Sequence, residues 1–350
     1  MPGARYTWGV VKGRAATAAI SMVLSLSWLT LGCSSEAPQA GEPTLLENPL
    51  GELPPKLSQV GLYRRLPELA LAPRALAYEH GYPLWSDGGA KQRALVLPEG
   101  ETIDARDAAA YDFPTGTLLF KTFSFRTPSS TEHVVPVETR VLRRTEDGWE
   151  FSAYGWDEQG HDAELLDLKR SETRSVLGDD DELVEHGIPS RLECRQCHES
   201  STSEVLGVNE LQLAQSGSLA GLAEHLRPNP KKPYAELPPH GPLTTRVLGY
   251  LVGNCVHCHN GTNGAASAFD LRPDVALQNL IDRPTESSAT ADGIRISPGK
   301  PDESVLYLGV KGAPDVEVKD MPPLGVALRD ASAVELLNSW ITALAETQDP

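Results

Sequence analysis

Cysteine and methionine are scarce in this chain of 350 residues, which has five of the first and three of the second. Five cysteines cannot build the dense disulfide framework of a small secreted scaffold. Positive charge is also in deficit, with 31 Lys and Arg against 48 Asp and Glu and a formal net charge of -17. Such a surface repels nucleic acid and anionic lipid, and leaves cations or basic proteins as companions. Long apolar runs are missing as well. The longest, "AATAAISMVLSLSWLTL" at 15–31, is shorter than the roughly 20 residues a spanning helix requires. With Arg5, Lys12 and Arg14 before it and Gly32-Cys33 after it, it has the layout of a secretory signal over residues 1–32.

The stretch "LTLGCSSEAPQAGEPT" around Cys33 resembles a bacterial lipoprotein signal, in which the cysteine becomes the lipidated first residue. Ser34 and Ser35 stand where an inner-membrane retention signal carries aspartate, so the resemblance implies the periplasmic side of the outer membrane. Residues 33–56, rich in Pro, Gly and Glu, are expected to form the lipid anchor and a tether.

With Cys33 set aside, the other four cysteines fall into two copies of one pattern, "ECRQCHES" at 193–200 and "NCVHCHNG" at 254–261. A redox-active Cys-x-x-Cys pair does not require the histidines His198 and His259 in the same place in both copies. Zinc accepts two cysteines and a histidine, but adjacent Cys-His ligands make an awkward tetrahedron. A c-type haem uses every residue. The sulfurs of Cys194 and Cys197, or of Cys255 and Cys258, bond to the porphyrin, and the next histidine, His198 or His259, reaches the iron. The expectation is two covalent haems, with zinc as the alternative.

Around the second copy, Val247, Leu248, Leu251, Val252 and Cys255 recur at helical spacing. The run "DASAVELLNSWITAL" at 330–344 reads as a second helix, opened by Ser332 and Glu335 as a capping box. Between them lies "KDMPPLG", where Met321, the only methionine beyond the signal, stands in a proline loop and is expected to ligate the second iron. The first iron then needs another sixth ligand. His225 and His240 are the candidates, with Lys121 or Lys91, a partner's side chain or an open position as alternatives. His257 is read as a surface residue, and His80, His133, His161 and His186 as surface or turn histidines.

Upstream, "KQRALVL", "TLLFKTFSF", "TRVLRR" and "WEFSAYGW" read as strands separated by turn signals, with Asp147-Gly148 as a hairpin cue. The fold expected is α+β, an N-terminal β-sandwich-like domain over 57–186 followed by mainly α-helical cytochrome c-type haem domains. Those comprise a first haem-binding segment at 187–240 and a cytochrome c-like domain with the second haem at 241–350. The ordered occurrence of "YPLWSDGGAKQR", "DFPTGTLLFKTF", "IPSRLECRQCH", "YLVGNCVHCHNG", "SPGKPDESVLY" and "MPPLG" resembles a bacterial family of two-haem c-type cytochromes, many of them lipoproteins. The resemblance implies electron transfer between redox partner proteins. It also directs attention to Trp85, Ser86, Asp87, Lys91 and Lys121, whose simplest reading is a buried tryptophan beside a capped turn. The alternative function is a peroxidase-like haem enzyme with an open first iron.

Overall fold

The strand-like runs pair into one large sheet rather than two facing ones. In chain order the strands are β1 (Tyr63–Arg65), β2 (Ala70–Leu71), β3 (Leu76–Ala77), β4 (Ala90–Val96), β5 (Ile103–Asp104), β6 (Leu118–Thr127), β7 (Ser130–Thr145), β8 (Gly148–Trp156), β9 (Ala163–Leu165), β10 (Glu172–Leu177), β11 (Leu183–Ile188) and β12 (Leu226–Arg227). The computed structural model describes residues 43–66, 68–178, 180–227, 236–262, 269–285, 293–314 and 318–346. Cys33 and the expected signal lie outside them.

Antiparallel β6, β7 and β8 form the middle of the eight-stranded sheet, ordered β11-β10-β6-β7-β8-β9, with β3 and β4 joined to the free edge of β6. Aromatic and β-branched residues suit these strands to a pleated, buried surface. The β7–β8 turn closes between Thr145 and Gly148, which are paired. β4 meets β6 from Ala90 opposite Ser124 to Val96 opposite Leu118, and β10 takes the same edge further on, Leu177 opposite Arg126.

Both faces of the sheet are covered. On one, Val96, Phe120, Val141 and Tyr154 pack against Leu45, Leu46, Leu57 and Leu62. Residues 43–56, expected to be tether, are therefore partly built into this core. On the other, Leu95 and Leu119 pack against Val208, Leu213 and Leu222. Side chains alternate along a strand, so this second face also carries Arg93, Lys121 and Arg140.

Seven α-helices occur among the described residues: α1 (Arg191–His198), α2 (Glu210–Ser216), α3 (Ser218–Leu222), α4 (Pro242–Asn254), α5 (Ala276–Leu280), α6 (Val305–Lys311) and α7 (Ala331–Leu344). Helix accounts for only 24% of the described residues, which overturns the expected fold class of a β-sandwich followed by mainly α-helical haem domains. A sandwich needs two stacked sheets; here one continuous ladder takes up the strands. Beyond residue 190, frequent Gly, Pro and Ser end the helices early, and only α4 and α7 run past three turns.

α4, α6 and α7 share one core containing Val247, Leu248, Leu251, Tyr307, Leu337, Trp340 and Ile341. The start of α7 differs from expectation. Asp330 is the N-cap, its carboxylate accepting from Ala333 N at 3.0 Å, and Ser332 lies inside the helix. Among the described residues no helix is long and apolar enough to cross a membrane.

Candidate functional site

α1 carries the whole first motif. Ser190 caps it, its hydroxyl accepting from Glu193 N while the Glu193 carboxylate accepts from Ser190 N at 2.8 Å. The helix lies on the second face of the sheet, where the rings of His198 and Phe151 are 4.9 Å apart. Nδ1 of His198 donates to the carbonyl of Glu204. Burial pushes the His198 pKa down to about 4, so the imidazole is neutral. A histidine anchored through Nδ1 presents Nε2 as a free lone pair, the arrangement typical of metal-ligating histidines.

The second motif follows α4 without a break. Cys255 is the C-cap, and His259 N donates to the Cys255 carbonyl at 2.8 Å. The His259 ring stacks on Phe269, 4.5 Å between centroids, and its Nδ1 is buried without a hydrogen-bond partner. Burial lowers its pKa, with His257 and Arg295 adding to the effect. A neutral imidazole with an unmet nitrogen is suited to a cation or a metal.

The fold brings the two motifs into contact. Cys197 Sγ, Cys258 Sγ and a ring nitrogen of His257 lie within 4.8 Å of one another, and Asn260 Nδ2 donates to the Ser200 carbonyl at 2.9 Å. His257, expected at the surface, is half-buried between the motifs. None of the four described cysteines is in a disulfide. The hydrogen bond that Cys197 donates to Cys258, together with burial, pushes the Cys197 thiol up to about 12, and burial pushes Cys194 and Cys255 up to about 11 and about 12. These three thiols are protonated, whereas the hydrogen bond from Cys197 lowers the Cys258 thiol.

Met321 lies in the loop beyond α6 and against it, its N–H donating to the Gly309 carbonyl at 3.0 Å, and it is 37% exposed. The candidates for the first iron fare differently. His240 is exposed at the start of α4, about 20 Å of helix away from Cys255. His225 ends a short helical turn leading into β12, which pairs with β5.

Lys121 lies in the middle of the sheet. It pairs with Arg93 on one side and Arg140 on the other. Its ammonium stands 4.5 Å from the centroid of Phe123, as does the Arg140 guanidinium, with Lys91 at 5.9 Å. Burial drives the Lys121 pKa well below its usual range, and Arg93, Arg140 and Lys91 add to the effect. Lys91 is pushed down to about 8, first by burial.

Of the histidines expected at the surface, His186 is buried and His80 half-buried. His186 is 0% exposed. Its Nδ1 meets Asp87 Oδ2 at 2.8 Å and its Nε2 meets Glu138 Oε1 at 3.0 Å. Burial opposes its charge, but the bonds to Asp87 and Glu138 outweigh it and raise the pKa, so the ring is an imidazolium donating from both nitrogens. His80 packs against Gly207, where an added Cβ would sit 2.3 Å from its ring, and its buried Nε2 lacks a partner. Of these basic residues only Lys91 and Lys121 stood out in the sequence; nothing local in it marked Arg93, Arg140, His80 or His186.

The segment "PLWSDG" joins the sheet to both sides of the second motif. Asp87 Oδ1 accepts from Ala327 N at 2.6 Å and Leu328 N at 2.7 Å, just beyond Met321, and Trp85 Nε1 donates to the Leu328 carbonyl at 2.8 Å. Trp85 N donates to Asn254 Oδ1 at 2.7 Å, immediately before Cys255. Gly253 permits this approach, since an added Cβ would lie 2.6 Å from the Tyr82 carbonyl oxygen. Asp87 itself has φ 51, a left-handed turn that aspartate tolerates. Compared with known proteins, the chain matches no family model, no curated protein and no solved structure.

Proposed function

We propose that this chain is an exported two-haem c-type cytochrome that carries electrons between periplasmic or membrane redox partner proteins, anchored to the outer membrane through Cys33. The observation that carries the reading is the contact between the two Cys-x-x-Cys-His motifs, each with a half-buried, neutral histidine packed on an aromatic ring. Cys194, Cys197 and His198 hold one haem, and Cys255, Cys258 and His259 the other. Bound there, the haems supply reversible one-electron chemistry. The residues of the chain do the rest. Glu204 fixes the His198 ring, Phe269 fixes that of His259, and the Asp87 and Trp85 contacts set the loop that carries Met321, the sixth ligand of the second iron.

Intact mass of the protein from a host that attaches c-type haem tests this directly. Two haem masses are expected on the wild-type chain, and one after Cys194→Ser with Cys197→Ser. A polypeptide mass with no addition refutes the reading.

A second reading rests on the Cys197, His257 and Cys258 cluster, which offers three donors of the kind zinc prefers. It uses two of the same sulfurs, so the two readings exclude each other. A stoichiometric metal without added haem mass, lost in Cys197→Ser, establishes the second.

Replacing Met321 by alanine is expected to lower the reduction potential of one haem and leave the other unchanged. The shift is a sizeable part of the roughly 0.8 V that axial ligands span, and a spectroelectrochemical titration reads it. Equal shifts in both haems, or none, refute the ligation.

A further inference from the structure

The second sheet face carries more positive charge than its surroundings answer. Arg93, Lys121 and Arg140 stand in register across β4, β6 and β7, and Lys91 lies two residues from Arg93 on the same face. Glu138 takes up Arg140, with Oε1 at 2.6 Å from Nη2 and Oε2 at 2.9 Å from Nε, while also accepting from His186. Arg93 has a single carboxylate contact, Nη1 to Glu79 Oε2 at 2.7 Å, and the Glu79 side chain is 58% exposed. Arg93 is itself only 3% exposed, and its Nε and Nη2 have no hydrogen-bond partner. His80 Nε2, the other orphan on this side, is influenced most among charges by Arg93.

A buried guanidinium cannot shed its proton, and a buried charge without a partner is costly. In a chain of net charge -17, four cations gathered on one enclosed face are no consequence of composition. The depressed pKa values of Lys121 and Lys91 have burial as their first cause and mutual repulsion as their second, and an anion among them relieves the repulsion.

The position of the row identifies the anion. Arg140 lies close enough to Cys194 and Cys197 for their thiols, once ionised, to act on its charge. Arg93 is two strand spacings further away, about 10 Å. A porphyrin bonded to these cysteines through one edge carries its two propionate carboxylates on the opposite edge. We propose that Arg93 and Lys121, supported by Lys91 and His80, bind the propionates of the haem held by Cys194 and Cys197. The inference rests on the two-haem reading and adds to it the orientation of the first haem over the sheet.

The test is a redox titration of the haem-loaded Arg93→Gln and Arg93→Lys variants, with intact mass measured on the same samples. A cation near the iron disfavours the ferric state, so its removal lowers the potential. Arg93→Gln is expected to keep both haems and lower the potential of one, the haem that Met321→Ala leaves unmoved. Arg93→Lys, which keeps the charge and loses the fork, is expected to shift it less. Where Arg93→Gln does not fold, Lys121→Gln is expected to give a shift of the same sign. Two attached haems with neither potential moved by either neutral variant overturns the proposal. So does a saturable rise in wild-type thermal stability on adding inorganic phosphate that is absent in Arg93→Gln, because the row then serves a free anion. A wild-type chain with no haem mass refutes the functional reading first, and the inference falls with it.

Discussion

Replacing His186 with leucine is expected to destabilise the folded protein by about 3 kcal/mol, because it removes one partner of a buried ionic network and leaves the others facing each other. Asp87 and Glu138 both bond to the His186 ring, and the His186 and Glu138 side chains are 0% exposed. Burial works against both carboxylates, but hydrogen bonds and, for Glu138, the Arg140 charge bring them below their ordinary values. Urea unfolding of the haem-loaded protein, followed by circular dichroism, reads the effect. A loss under about 1 kcal/mol, the range of exposed pairs, shows that the network is not structural.

The pH dependence follows from the directions of these shifts. His186 titrates above its ordinary 6.5 when folded, so its contribution is whole below about 6.5 and is lost as pH rises through the folded value. Asp87 and Glu138 titrate below 3.8 and 4.5, so theirs is present above those values and lost as pH falls through the folded ones. The stability difference between wild type and His186→Leu is therefore largest between about pH 4.5 and 6.5 and shrinks in alkaline buffer. A difference that grows above pH 8 contradicts a charged His186.

Asp87→Ala is expected to have the second large effect, and to be felt at a distance from the sheet. It deprives His186 of a carboxylate and leaves the amides of Ala327 and Leu328 without their acceptor. Ala327 is exposed and Leu328 half-buried, so water meets much of their demand, and the total is set by the lost buried ion pair at about 3–5 kcal/mol. The loop released is the one that bears Met321. In the haem-loaded protein the charge-transfer absorption of methionine on ferric iron should weaken in Asp87→Ala and persist in Asp87→Asn, which still offers Oδ1 to both amides. Equal absorption in all three proteins separates the clamp from the ligand.

Local signals were legible where the physics is local. Turn residues and alternation marked β4, β6, β7 and β8, and apolar spacing marked α4 and α7, because both depend on neighbours in the chain. The partner of each strand was not legible. Alternation shows that a strand has a buried face, but the same pattern serves one wide sheet or two stacked ones. The motif residues Cys194, Cys197, His198, Cys255, Cys258 and His259 were visible from spacing alone, whereas the meeting of Cys197 with Cys258 depends on contacts some 60 residues apart. The row formed by Arg93, Lys121 and Arg140 was hidden for a related reason. A basic residue alternating with apolar ones normally marks the face turned to water, and here that face is covered by the helices of residues 191–222.

The touching sulfurs bear on how the protein is made. Cys197 and Cys258 belong to different motifs, yet their Sγ atoms lie within 4.8 Å of each other. In an oxidising compartment, two thiols so placed are a ready substrate for disulfide formation. Folding before cofactor attachment would thus open a dead end, a cross-link that withdraws one sulfur from each motif at once. Under the proposed two-haem reading, maturation becomes a race between assembly and oxidation, and the order of events on the unfolded chain decides whether both motifs remain usable.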